Sequence, residues 1–99
     1  MAIVLVDAEN VRRSLWPNIP RSDLPALCEA WAARNGHDVV VVWEGSESAD
    51  ERIARQAAEL EPPVWVVTSD RELRERVHAD VERVIGGGSF GRELVDGPS

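Results

Sequence analysis

There is no lysine in these 99 residues; all 11 basic side chains are arginine. Phosphoacceptor signalling domains also place acids at strand ends, but they need a lysine against the phosphoryl group, so its absence speaks against that class. A single cysteine, Cys28, excludes an internal disulfide and a thiolate metal cluster. Its position among apolar residues of an expected helix suits a packed, buried thiol. The two histidines, His37 and His78, lie far from each other and from any cysteine pair, which disfavours zinc and histidine-assisted covalent hydrolysis. No apolar run approaches the roughly 20 residues of a membrane span. Nor does a basic or long apolar segment precede the first strand, so the expectation is a soluble, cytoplasmic protein.

Positive charge is scarce as well, with a net charge of −7. Non-specific binding to a phosphate backbone needs Lys and Arg to release counterions, and this composition opposes it. A nuclease stays open, because acids gathered in one pocket hold divalent cations that reverse the local field. The length suits one domain over residues 1–95, burying roughly 60 to 70 per cent of its unfolded surface, followed by a frayed tail at 96–99.

What the chain has is a recurrent event. Ile3-Val4-Leu5-Val6 runs into Asp7 and then Asn10. Val39 to Trp43 runs into Glu44-Gly45, and Val64 to Val67 into Thr68-Ser69-Asp70. Continuous apolar runs of this length suit strands covered on both faces, which makes these three the expected central strands of a parallel sheet. The carboxyl ends of such strands share one edge, where ligands bind.

Between them, residues 11–22 read as a loop with Arg12, Arg13, Trp16, Pro17 and Pro20. A helix is expected from Ser22 or Asp23 to Asn35-Gly36, with Leu24, Leu27, Cys28 and Trp31 as its buried stripe. Ser48-Ala49-Asp50-Glu51 carries a capping box for a second helix, buried through Ile53, Ala57 and Leu60 and ended by Pro62-Pro63. Ser69 and Glu72 form another capping box, before Leu73 and Val77. A short strand over Val81 to Ile85, a flexible Gly86-Gly87-Gly88 turn and a helical turn at Phe90 to Leu94 complete the chain. Gly86, Gly88 and Gly91 match G-x-G-x-x-G, but no later strand and acid follow, so a dinucleotide site is not expected. The alternation predicts an α/β fold: a small three-layer α/β/α sandwich around a mainly parallel four-stranded sheet.

Asp7, Asn10, Glu44, Asp50 and Asp70 are the candidates for chemistry. Asp50 and Asp70 fall in first helical turns, where a carboxylate stabilises the dipole by about 0.3 to 1 kcal/mol. Asp7 precedes no expected helix start, so that explanation does not reach it. Carboxylates within roughly 4 to 6 Å repel each other, and either a pKa rises or a cation is required. Hard ions such as Mg²⁺ and Mn²⁺ prefer such oxygen ligands.

Asp7-Ala8-Glu9-Asn10, Ser48-Ala49-Asp50-Glu51-Arg52-Ile53 and above all Val66-Val67-Thr68-Ser69-Asp70-Arg71-Glu72-Leu73-Arg74 resemble the NYN domains of the YacP-like group, within the PIN-like ribonucleases. The resemblance runs from Ile3 to about Leu94. It implies a metal-dependent endoribonuclease acting on RNA with Mg²⁺ or Mn²⁺. Asp7, Asp50 and Asp70 would be metal ligands, Asn10 would orient a ligand or phosphate, and Thr68 or Ser69 would support the site. Relatives usually carry Phe-Asp-Gly where this chain has Trp43-Glu44-Gly45, so Glu44 is either a longer substitute ligand or a bystander. Arg12, Arg13, Arg71 and Arg74 flank the site in sequence and either meet RNA phosphates or sit on a solvated surface. Trp16 either packs in its loop or stacks on an unpaired base. The rival reading is a non-catalytic RNA- or protein-binding module on the same fold. A homodimer and a ribosomal or protein partner are left open.

Overall fold

The structure is a computed structural model that describes residues 1–97. β1 (Ile3–Asp7) occupies the middle of the sheet, with β2 (Asp38–Val42) on one side. On the other side lie β3 (Val64–Val67) and then β4 (Arg83–Ile85), in the order β2-β1-β3-β4 with every pair parallel. Alternation along a strand divides the core in two. Val4, Val6 and Val67 pack with Leu24, Cys28 and Trp31 of α2 (Leu24–Asn35) and with Phe90 and Leu94 of α5 (Gly87–Asp96). Leu5, Val42, Val64 and Val66 pack on the other face. There they meet Ile53 and Ala57 of α3 (Ala49–Glu59) and Leu73 and Val77 of α4 (Arg71–Val77). The result is the expected three-layer α/β/α sandwich. No helix among the described residues is long and apolar enough to cross a membrane.

Several expectations are corrected. Residues 8–13 form a helix, α1 (Ala8–Arg13), where a loop was expected from Val11. Ala8 and Val11 are buried three residues apart, and Glu9 pairs with Arg12 and Arg13 one turn on, which supports a short helix. Asp7 therefore stands at an N-cap position after all, although its side chain makes no capping bond.

β2 is an edge strand, not a central one, and Val40 is 37 % exposed. Residues that α3 and α4 cover belong chiefly to β1 and β3, which leaves that face of β2 partly open. The cap of α4 is Asp70, whose carboxylate accepts from the Leu73 N–H, so the Ser69 capping box is displaced by one residue. Gly86 to Gly88 do not form a flexible turn; they lead directly into α5, which buries Phe90 and Leu94. That helix includes Asp96 of the expected tail; Pro98 and Ser99 lie outside the described residues.

Candidate functional site

Strand parity decides which way the site faces. Leu5 points to the α3/α4 side, so Asp7, two residues on, points there too. In register, Asp7 lies opposite Val42, and Leu5 lies opposite Val66, which puts Thr68 abreast of Asp7. The Thr68 hydroxyl donates to Asp7 Oδ2 at 2.9 Å and accepts from the Asp70 N–H at 3.1 Å. One fully buried side chain thus holds two of the acids in fixed relation.

Asp7, Asn10, Glu44, Asp50, Ser69 and Asp70 wall a cleft of about 450 Å³ at the carboxyl edge of the sheet. Asp50 enters from the first turn of α3, Asp70 from the cap of α4, and Glu44 from the loop after β2. Glu44 spends Oε2 on the Ala49 N–H at 3.2 Å, so it also caps the helix that carries Asp50.

Electrostatics shows the crowding. Asp7 is only 5 % exposed, and its pKa is pushed from 3.8 up to about 6. Burial is the largest cause; the Thr68 bond opposes it, and the charges of Asp50, Glu44 and Asp70 add to it. Asp50 is also raised, by desolvation and then by Asp70 and Glu44.

Asn10 fixes the second wall. Its Oδ1 accepts from the Ser69 N–H at 2.8 Å, while Ser69 Oγ accepts from the Gly87 N–H at 2.8 Å. A Cβ at residue 87 would lie 2.5 Å from Asn10 Oδ1, so glycine is needed where α5 abuts the site. Ser14 Oγ, donating to the carbonyls of Val11 and Gly87, ties α1 to the same corner.

The arginines separate. Arg13 reaches the rim of the acidic cleft with 65 % of its side chain exposed. Arg12 does not line the cleft; its side chain is 16 % exposed and bound to Glu9 at 2.7 Å. Arg71 and Arg74 line a different groove beside α4. Trp16 does not pack on the core: it is 91 % exposed.

Two structural roles had weak signals in the sequence. Glu9 binds Arg12, Arg13 and Arg21 together. Desolvation works against its ionisation, but the bonds from Arg21 and Arg12 prevail and hold its pKa below the ordinary value. Its helical spacing to Arg12 and Arg13 was the available clue. Ser14 offered none, since Gly87 is remote in the chain.

Among the described residues, no three acid, histidine or cysteine side chains close around one point as a metal cage. The donors are nonetheless oxygens, chiefly carboxylates, and one of them, Asp7, is raised by burial and then by its acidic neighbours. Such a set fits Mg²⁺ or Mn²⁺ held by one or two carboxylates with retained water; it does not fit a closed tetrahedral zinc site.

No family model matches this chain, and no curated protein does. A solved structure does match: the crystal structure of a mutant of Rae1 (YacP) from Bacillus subtilis, with a TM-score of 0.78 over 97 % of this chain and 76 % of that one. The fold is YacP-like. Identity to Rae1 is 20 %, so the similarity establishes the architecture, in agreement with the three-layer α/β/α sandwich expected from the strand and helix pattern.

Proposed function

We propose that this chain is a metal-dependent endoribonuclease that hydrolyses RNA phosphodiester bonds. Asp7, Asp50 and Asp70 serve as metal ligands with Glu44 beside them. The observation that carries this reading is the convergence of those four carboxylates on one cleft, where burial first and the neighbouring acids second raise Asp7 to about 6. The motif resemblance to the YacP-like group and the fold shared with Rae1 (YacP) support it.

When bound, Mg²⁺ or Mn²⁺ would activate water for in-line attack and neutralise charge on the cleaved phosphodiester. The chain's own residues set the stage. Thr68 fixes the Asp7 carboxylate through Oδ2 and positions the Asp70 backbone. Asn10 has committed Oδ1 to Ser69, so its Nδ2 amide is the donor it offers a phosphate oxygen. Arg13, exposed at the rim, supplies a cation for a neighbouring phosphate. No side-chain nucleophile is required.

A non-catalytic binding module is the second reading, favoured by the lack of three side chains closing on one point among the described residues. Incubating mixed single-stranded and structured RNAs with Mn²⁺, with chelator, and with Asp70→Asn protein separates the two. Asparagine is as good a helix cap as aspartate, so this variant tests charge and spares α4. The ribonuclease reading expects Mn²⁺-dependent cleavage that the variant loses. Absence of both cleavage and Mn²⁺ binding in wild type would overturn the ribonuclease reading and favour the module.

A further inference from the structure

The acidic cleft has a neighbour of opposite character. Asp70 faces the cleft, and the next residue, Arg71, begins a groove of about 580 Å³ that also takes in Arg74, Glu75, His78 and Val84. Residues 71, 74 and 78 recur at helical spacing and so share one face of α4 and its C-cap. Val84 of β4 contributes the apolar part of the wall.

The charge of this groove is unusual for the molecule. Ion pairs among the described residues engage Arg12, Arg13, Arg21, Arg55 and Arg76, and neither Arg71 nor Arg74. Both are exposed. Glu75 offsets one of the two arginines, leaving the groove one net positive charge. In the acidic cleft, by contrast, Asp7, Glu44, Asp50 and Asp70 take part in none of these ion pairs, and the arginines nearby are gathered on Glu9. A polyanion crossing the Asp70–Arg71 boundary passes from repulsion to attraction.

We infer that the Arg71/Arg74/His78 groove is the second half of the nucleic-acid site, holding backbone phosphates of the single-stranded RNA segment adjoining the one at the acidic cleft. This rests on the ribonuclease reading and deepens it by giving the strand a path. Without divalent cations the acids repel phosphate, so the groove supplies the larger share of RNA affinity under exactly those conditions where cleavage is silent. Arg suits the task, since its planar fork meets phosphate oxygens in pairs.

The test is fluorescence anisotropy of a labelled 12-nucleotide single-stranded RNA of mixed sequence, in chelator, across a salt series. Each phosphate contact on a single strand contributes about 0.7 to the slope of log affinity against log salt, so Arg71→Ala/Arg74→Ala should flatten it by roughly 1.4. Affinity at low salt should fall about tenfold or more. An equal loss of charge elsewhere, Arg34→Ala/Arg92→Ala, should leave the slope near wild type; Arg34 is on α2 and Arg92 on α5, both exposed. A thermal melt of each variant confirms folding.

An unchanged slope in the groove variant, or the same fall in both variants, overturns the inference. Should wild type bind no RNA in chelator yet cleave it with Mn²⁺, the groove assignment fails while the ribonuclease reading stands. Neither binding nor cleavage would remove both.

Discussion

Replacing Asp7 by asparagine should make the metal-free protein more stable, and the size of the gain follows from the burial of this carboxylate. A rise from 3.8 to about 6, at about 1.4 kcal/mol per pH unit, means that ionising Asp7 in the fold costs about 3 kcal/mol at neutral pH. Asparagine keeps an acceptor for the Thr68 hydroxyl as the neutral acid does, and the extra strength of that bond to the ionised form is already contained in the shift. The net expectation is about 3 kcal/mol, or an increase in Tm on the order of 10 to 20 °C for a domain of this size. Proton counting sets the direction. Between about pH 4 and 6 folded Asp7 keeps a proton that the unfolded chain has released, so wild-type stability falls as pH rises through that window. The gain should therefore be near zero at pH 4 and complete by pH 7. Thermal melts followed by circular dichroism in chelator, at pH 4, 5.5 and 7.5, measure it. Mn²⁺ should raise the Tm of wild type by mass action and leave the variant unmoved. A variant no more stable than wild type at pH 7.5, or equally advantaged at pH 4, would refute the argument from a buried, ionised Asp7.

Thr68→Val should cost about 1 to 3 kcal/mol in urea denaturation, because it strips a partner from both Asp7 and the Asp70 N–H. The loss of the bond that lowers the Asp7 pKa should also move the pH-dependent window upward. Gly87→Ala and Gly88→Ala form a pair: a methyl at 87 strikes Asn10 Oδ1, whereas one at 88 meets nothing within 4 Å. The first should destabilise by about 1 to 2 kcal/mol, and the second should stabilise by about 0.5 to 1 kcal/mol through lost unfolded-state freedom. Equal effects at the two positions would show that Asn10 yields freely. Glu9→Gln should cost on the order of 1 kcal/mol, since it weakens bonds to Arg12, Arg13 and Arg21, two of them largely exposed. High salt should shrink the difference between Glu9→Gln and wild type in the same denaturation.

The acids at strand ends were readable because each depends on a rule that acts along the chain. A run of valines ends, a carboxylate follows, and parallel strands put those ends on one edge. Local signals failed where two of them competed. Pro17 and Pro20 weight residues 11–22 towards a loop, whereas the Glu9 to Arg12 and Arg13 spacing favours α1. At Ser69 the capping-box pattern matched one residue early; the side chain instead serves the Gly87 N–H, eighteen positions away, and nothing near Ser69 marks that partner. The glycines at 86 to 88 look like a turn on propensity alone. Of the three, Gly87 is the one the fold requires, because at the head of α5 it abuts Asn10, against which only a residue without a Cβ fits.

Asp7 and Asn10 lie one helical turn apart, yet they attach to successive residues of another segment: Asp7 to the Thr68 hydroxyl, Asn10 to the Ser69 N–H. The opening motif is thereby matched, almost residue for residue, to the segment after β3. Neutral donors fill every one of these contacts, so negative charge is held in place without being cancelled. A cluster built only for stability would use the arginines that Glu9 gathers nearby. Cationic side chains are instead kept to the rim and to the adjoining groove, the arrangement that the proposed metal site requires.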